Sequence, residues 1–197
     1  MKKNISLCFL VLSLCLWAQD DSSKSKTMGF YISPSVQVGY NLSNKSQKRE
    51  DEQSAAYQQG YARYSYPNDF MYGIGFVGGY HILPFFAIGT GLKYHFVADD
   101  IHTVNWTIQP KFLIGKDDDK FTVELEYGKQ LNKSNINDNE YYGLKLGYQA
   151  AFSKRLNQEF GVFVYSGNYS TRNPLFLGLS FQAIIFSNKN YTGYSSN

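Results

Sequence analysis

Between residues 85 and 97 the chain reads FFAIGTGLKYHFV, and its side chains sort by parity. Phe86, Ile88, Thr90, Leu92, Tyr94 and Phe96 fall on one side of an extended strand, and Ala87, Gly89, Gly91, Lys93 and His95 on the other. The first face is apolar; the second is small or charged. A water-soluble barrel turns its apolar face inward, where cations find few partners. A barrel in a bilayer turns that face outward and encloses the polar one. Repeated along a chain, the pattern confines the fold to a transmembrane barrel, because in hydrocarbon only helices and closed barrels satisfy every backbone hydrogen bond.

The two-residue period does repeat, in segments 29–42, 70–82, 104–115, 121–131, 141–152, 158–167 and 174–186. Phe30, Ile32, Val36, Val38 and Tyr40 oppose Ser33, Gln37 and Asn41 in the first of these. Trp106 and Ile108 oppose Asn105, Gln109 and Lys111 in the 104–115 segment, and Leu125 and Tyr127 oppose Glu124 and Glu126 in the next. Segment 158–167 is the exception: Phe160, Val162 and Val164 alternate with Phe163 and Tyr165, so its facing stays open. The expected fold is all-β, an eight-stranded antiparallel up-and-down transmembrane barrel over residues 28–186. Pro34 fits it only early in a strand or at a bulge.

Connection lengths orient this barrel. Short links at 83–85, 116–120 and 153–157 alternate with longer ones at 43–69, 98–103, 132–140 and 168–173. Short turns belong to the periplasmic end and long loops to the outside. The first loop, polar and dotted with tyrosines, has no helical periodicity and is expected to be mobile. It is also the natural place for an extracellular partner.

The beginning of the chain agrees with export. Lys2 and Lys3 precede the apolar run ISLCFLVLSLCLWA, and polar QDDSSKSK follows, as in a Sec signal peptide covering residues 1–19 with cleavage near Ala18 or Gln19. A periplasmic segment 20–27 leads into the barrel, and a polar tail, 187–197, follows it. From Thr27 onward no apolar run reaches the roughly 18 residues a spanning helix needs. Cys8 and Cys15 both lie in the signal, leaving no thiolate metal site in the mature chain. A lipoprotein reading fails because Leu7 and Leu14, rather than small residues, precede them.

Charge excludes another class. Without Lys2 and Lys3 the 19 basic residues become 17 against 16 acidic, a net charge of +1, which leaves no nucleic-acid footprint. The 17 tyrosines, 15 phenylalanines and 17 glycines suit twisted strands and aromatic belts better than helices.

With its signal, its eight alternating segments and phrases such as GFYISPSVQVGYNL and FFAIGTGLKYHF, the chain resembles the small outer-membrane β-barrel proteins of Gram-negative bacteria. That group includes the OmpA membrane domain, OmpX and OmpW, and the phrases are similar to strands of porin-family barrels from Bacteroidota. The resemblance implies an outer-membrane location and insertion by the barrel assembly machinery. It also implies contact with lipid and lipopolysaccharide, and a monomeric state. One departure stands out: such barrels finish on an aromatic residue of the last strand, whereas Phe186 is followed by SNKNYTGYSSN.

The inward charges of the eight segments form the candidate site: Lys93, His95, Lys111, Glu124, Glu126 and Lys145. Hairpin geometry sets Lys111 beside Glu124 or Glu126 and Lys145 near Glu126. A lumen of eight strands is just wide enough for side chains to fill. The bland reading is therefore an internal salt-bridge network that closes it, since buried charges persist only when paired. The sharper readings are a narrow path for small solutes and a proton relay. Aromatic residues near strand ends, Phe30, Tyr40, Tyr72, Tyr80, Tyr94, Phe96, Trp106, Tyr127, Tyr142 and Tyr148, read as interfacial girdles rather than as a sugar-binding patch.

Enzymatic readings find little support. Asp99, Asp100 and His102 resemble the water-activating Asp and His of omptin proteases, but those are larger, ten-stranded barrels. Lipid A deacylases carry a serine two residues after a histidine, whereas Leu83, Val97 and Val104 follow His81, His95 and His102 at that distance. Asp117, Asp118 and Asp119 make a turn rather than a metal site, and no cofactor or catalytic residue is expected. The readings carried forward are a structural or surface-interaction barrel, a narrow channel, and a lipid-modifying enzyme.

Overall fold

A computed structural model describes residues 29–54, 58–60, 68–98, 101–115, 119–132, 139–153, 155–168 and 173–187. The signal 1–19, segment 20–27, tail residues 188–197, Asp99, Asp100, Asp117 and Asp118 lie outside them. Eight strands, β1 (Phe30–Asn41), β2 (Phe70–Leu83), β3 (Phe86–Ala98), β4 (Ile101–Ile114), β5 (Lys120–Gln130), β6 (Glu140–Ala151), β7 (Leu156–Gly167) and β8 (Leu175–Phe186), follow one another around a closed antiparallel barrel. β8 returns to β1, with Val36 opposite Phe181 and Tyr40 opposite Leu177. Closure leaves no edge strand, the condition for a sheet in hydrocarbon.

Parity sets the two surfaces. Outward side chains such as Val36, Ile74, Leu92, Leu125, Leu144, Val162 and Leu179 are exposed, and the inward ones between them are buried. β7 turns Phe160, Val162 and Val164 out and encloses Glu159, Phe163 and Tyr165, which settles the facing left open by its composition. The departure at the end of the chain leaves the last strand in place. β8 runs to Phe186, which is buried inside and opposite Tyr31.

Inward glycines make room for inward rings. Tyr31 lies opposite Gly79, Tyr141 opposite Gly128, Tyr165 opposite Gly143 and Phe163 opposite Gly178. A Cβ on Gly128 would fall 2.1 Å from the Tyr141 ring and one on Gly143 2.3 Å from the Tyr165 ring. Each ring thus covers backbone that its glycine leaves bare, the aromatic–glycine pairing that also pins register.

Two features depart from the expectation. The β3–β4 connection is only residues 99–100, not 98–103, because Ile101 and Thr103 already point inward and continue the alternation through a polar stretch. Segment 43–69 contains a helix, α1 (Asn44–Glu52). It has no apolar stripe and places Lys45, Lys48 and Arg49 ahead of its acidic end, against the helix dipole, so neither periodicity nor charge announces it. What holds it is tertiary: Asn44 Nδ2 donates to Asp69 Oδ1 at 2.6 Å, and the Leu175 N–H donates to Ser43 Oγ at 3.1 Å. Pro34 lies in the early half of β1, as expected, and the β1–β8 ladder skips Ser33 and Pro34, since proline has no N–H to offer.

Candidate functional site

The charged interior is built in layers. At the end bearing the 43–69 connection, Met71, Val97, Ala98, Ile101, Phe163, Tyr165 and Phe176 form an apolar cluster. At the short-turn end Tyr31, Ala87, Leu113, Ile184 and Phe186 form another. Between them lie three lysines and three glutamates, all with side chains at most 5% exposed.

Four of these charges close a ring. Lys111 Nζ lies 2.9 Å from Glu124 Oε2 and 3.1 Å from Glu159 Oε2, while Lys145 Nζ lies 2.9 Å from Glu124 Oε2 and 3.0 Å from Glu159 Oε1. Each ion therefore touches two of opposite sign. Glu124 reaches its lysines through register, opposite Lys111 on β4 and Lys145 on β6. Lys111 and Glu159 meet across the lumen, from β4 to β7. Lys145 also donates to Gln182 Oε1 at 3.1 Å.

The second group stands nearer the loop end. Lys93 Nζ lies 2.7 Å from Glu126 Oε2, reaching past β4 to do so. The Tyr165 hydroxyl lies 2.7 Å from Glu126 Oε2 and 3.2 Å from Gln37 Oε1, and its single proton serves one of them at a time. The Tyr141 hydroxyl donates to Glu126 Oε1. His95 sits against this group, its Nε2 2.6 Å from Gln37 Nε2 and its ring 5.0 Å from that of Tyr141. The Asn105 side-chain amide nitrogen lies 3.5 Å from the other ring nitrogen, Nδ1, so the ring is bracketed by two amides.

One pairing differs from its sequence expectation. Lys145 meets Glu124 and not Glu126, because β5–β6 register places Glu126 opposite Gly143. Glu159, Tyr141 and Tyr165 are absent from the sequence-derived set. Glu159 was legible: it is the one charged residue of segment 158–167, and a carboxylate cannot face hydrocarbon, so it alone decides which face of β7 turns inward.

All ten proposed girdle residues point outward. Tyr40, Tyr72, Tyr94, Phe96, Trp106, Tyr127 and Tyr142 lie toward the loop end, and Phe30, Tyr80 and Tyr148 toward the short turns. Neighbouring rings pair, Tyr127 with Tyr142 at 5.4 Å and Phe30 with Tyr80 at 4.8 Å. Phe86 and Phe112, 5.0 Å apart, and Phe160 and Phe181, also 5.0 Å apart, form further ring pairs toward the short turns. His102 faces outward, with its Nδ1 2.6 Å from the Tyr94 hydroxyl. Among the described residues, no group of three His, Cys, Asp or Glu side chains is placed to hold a metal ion.

No protein-family model matches the chain, and no curated protein does. Solved structures do. The crystal structure of Neisserial surface protein A superposes with a TM-score of 0.57 at 9% identity, over 81% of this chain and 98% of that one. The N-terminal β-barrel domain of Pseudomonas aeruginosa OprF gives 0.45 at 9% identity, over 81% and 100%, and a de novo designed transmembrane β-barrel gives 0.41 at 12% identity, over 79% and 94%. The chain thus shares the closed-barrel fold of the neisserial surface protein at an identity too low to carry more than architecture.

Proposed function

We propose that this chain is an integral outer-membrane protein, non-enzymatic, whose lumen is closed by its own side chains. It serves as a structural wall element that displays loops, with the short turns periplasmic and segment 43–69 outside. The observation that carries the reading is the interior: equal numbers of buried lysines and glutamates form ion pairs with one another between two apolar clusters, inside a wall whose outer surface is apolar. A solute path needs ions free to exchange partners with a passing solute, whereas each carboxylate here already holds a lysine.

Planar-bilayer recording tests this directly. The purified barrel is expected to be silent; stepwise conductance that changes with Glu126→Gln would install the narrow channel in its place. For the loop, deletion of residues 45–66 is expected to leave the barrel folded while removing any binding to an extracellular partner. The signal is tested by the mass of the exported protein, which is expected to begin near Gln19 or Asp20. Altered lipid A in overexpressing cells would restore the enzymatic reading.

A further inference from the structure

Two of the eight ladders are interrupted, and both breaks fall at a proline. β1 and β8 pair at Ile32 with Ile185 and again at Ser35 with Gln182, leaving out Ser33 and Pro34. β4 and β5 pair at Ile108 with Tyr127 and again at Lys111 with Glu124, leaving out Gln109 and Pro110. Register is the same on both sides of each break, so Pro34 stands opposite Ala183 and Pro110 opposite Leu125. On its other flank each proline keeps its partner, Phe76 on β2 and Ile88 on β3. The nitrogen that cannot donate therefore faces β8 in one case and β5 in the other, and the Ala183 and Leu125 carbonyls lose their ladder donor. Among the described residues the other six ladders are continuous, with register shifts only near their ends, at His81/Leu83 and Phe96/Ala98.

The breaks lie four strands apart and divide the wall into β1–β4 and β5–β8. The buried ions divide along the same line. β1–β4 carries Lys93 and Lys111 and no buried carboxylate, whereas β5–β8 carries Glu124, Glu126 and Glu159 with Lys145. Lys93 with Glu126, and Lys111 with Glu124 and Glu159, thus join one half to the other, while both pairs of Lys145 stay within the second half. The chain itself joins β4 to β5 through a short turn, but β8 and β1 lie at opposite ends of the barrel's sequence.

We propose that the barrel opens sideways as a clamshell, bending at β4–β5 and parting at β8–β1, with Lys93 and Lys111 as its clasp. This opening goes beyond a lumen closed along its axis, and it rests on the reading of the outer wall as lipid-facing. In hydrocarbon no water replaces the lost donor of Ala183 or Leu125, so each seam is weaker than its neighbours. Within each half the unbroken ladders hold four strands together as a unit. The clasp opposes parting, because separated halves leave Lys93 and Lys111 without a carboxylate.

Amide hydrogen exchange of the exported protein in phosphatidylcholine vesicles, read residue by residue, tests the device. Exchange is expected to be fastest along β8–β1, next along β4–β5, and slowest along β2–β3 and β6–β7. Pro34→Ala restores the missing donor and is expected to slow exchange at the paired Val36 and Phe181 by about fivefold or more. Glu126→Gln loosens the clasp and is expected to speed exchange at both seams by about tenfold or more relative to β2–β3 and β6–β7. A disulfide formed in the Val38→Cys, Leu179→Cys protein, whose two positions are paired across β8–β1, is expected to abolish that acceleration there. Equal exchange in all eight ladders, or no slowing by Pro34→Ala, overturns the seams. Faster exchange at β4–β5 than at β8–β1 overturns the hinge assignment, and acceleration by Glu126→Gln spread evenly around the barrel overturns the clasp. A barrel that floats with vesicles yet exchanges evenly loses the seams alone; one that stays dissolved without detergent and does not float overturns the membrane reading with them.

Discussion

The two charged groups inside the barrel solve the same problem differently. In the ring of Lys111, Glu124, Lys145 and Glu159 every ion has two opposite neighbours, whereas Lys93 and Glu126 have one ion pair, supplemented by the hydroxyls of Tyr141 and Tyr165. Redundancy protects the ring, because loss of one carboxylate still leaves each lysine the other. The isolated pair has no such reserve. Phenols satisfy Glu126 as an acceptor but cannot neutralise Lys93 once the carboxylate is gone.

The sharpest way to break this comparison is Glu126→Leu, which strands a buried ammonium and two hydroxyls; the folded barrel is expected to lose about 3–5 kcal/mol, measured by urea unfolding in lipid vesicles. The exchange Lys93→Glu with Glu126→Lys is expected to recover much of that loss, and failure to recover would mean that geometry rather than charge balance dominates the pair. Next comes Glu124→Gln, for which Glu159 still reaches both lysines, with a smaller expected loss of about 1.5–3 kcal/mol. If this variant proves the worse of the two, redundancy is not what stabilises the ring.

Packing of the rings that flank the pair gives a subtler handle. Gly143→Ala pushes a methyl into the Tyr165 ring and is expected to destabilise by about 1–3 kcal/mol, with loss of the Tyr165 contact to Glu126 visible as altered tyrosine absorbance. The smallest effect belongs outside. Lys129 and Glu140 form an ion pair at 3.7 Å, both partners more than a third exposed, so Lys129→Ala is expected to change stability by less than about 1 kcal/mol. A large effect there would show that the outer rim, and not the lumen, carries the electrostatic stability.

How much of this was legible beforehand differs by kind of contact. The strands and their facings were readable wherever one face was apolar and the other was not, as in FFAIGTGLKYHFV. In β7 both faces carry aromatic residues, and only Glu159 breaks the tie. A hairpin between adjacent strands put Lys111 beside Glu124 or Glu126, and the β4–β5 register selects Glu124. Lys93 with Glu126 and Lys111 with Glu159 were not readable in this way, because these pairs lie on strands separated by one or two others. Helix α1 was hidden for a related reason: its anchors, Asp69 and Leu175, are far away in the chain.

Alternation along a strand is a local property of extended backbone, so the order of residues alone dictated which side chains face the enclosed axis and which face outward. Which enclosed charges meet depends on the stagger of eight strands at closure, a quantity shared by the whole sheet and written in no single segment. Only the closed barrel brings Lys93 within reach of Glu126, separates Glu126 from Lys145 and sets the breaks at Pro34 and Pro110 four strands apart.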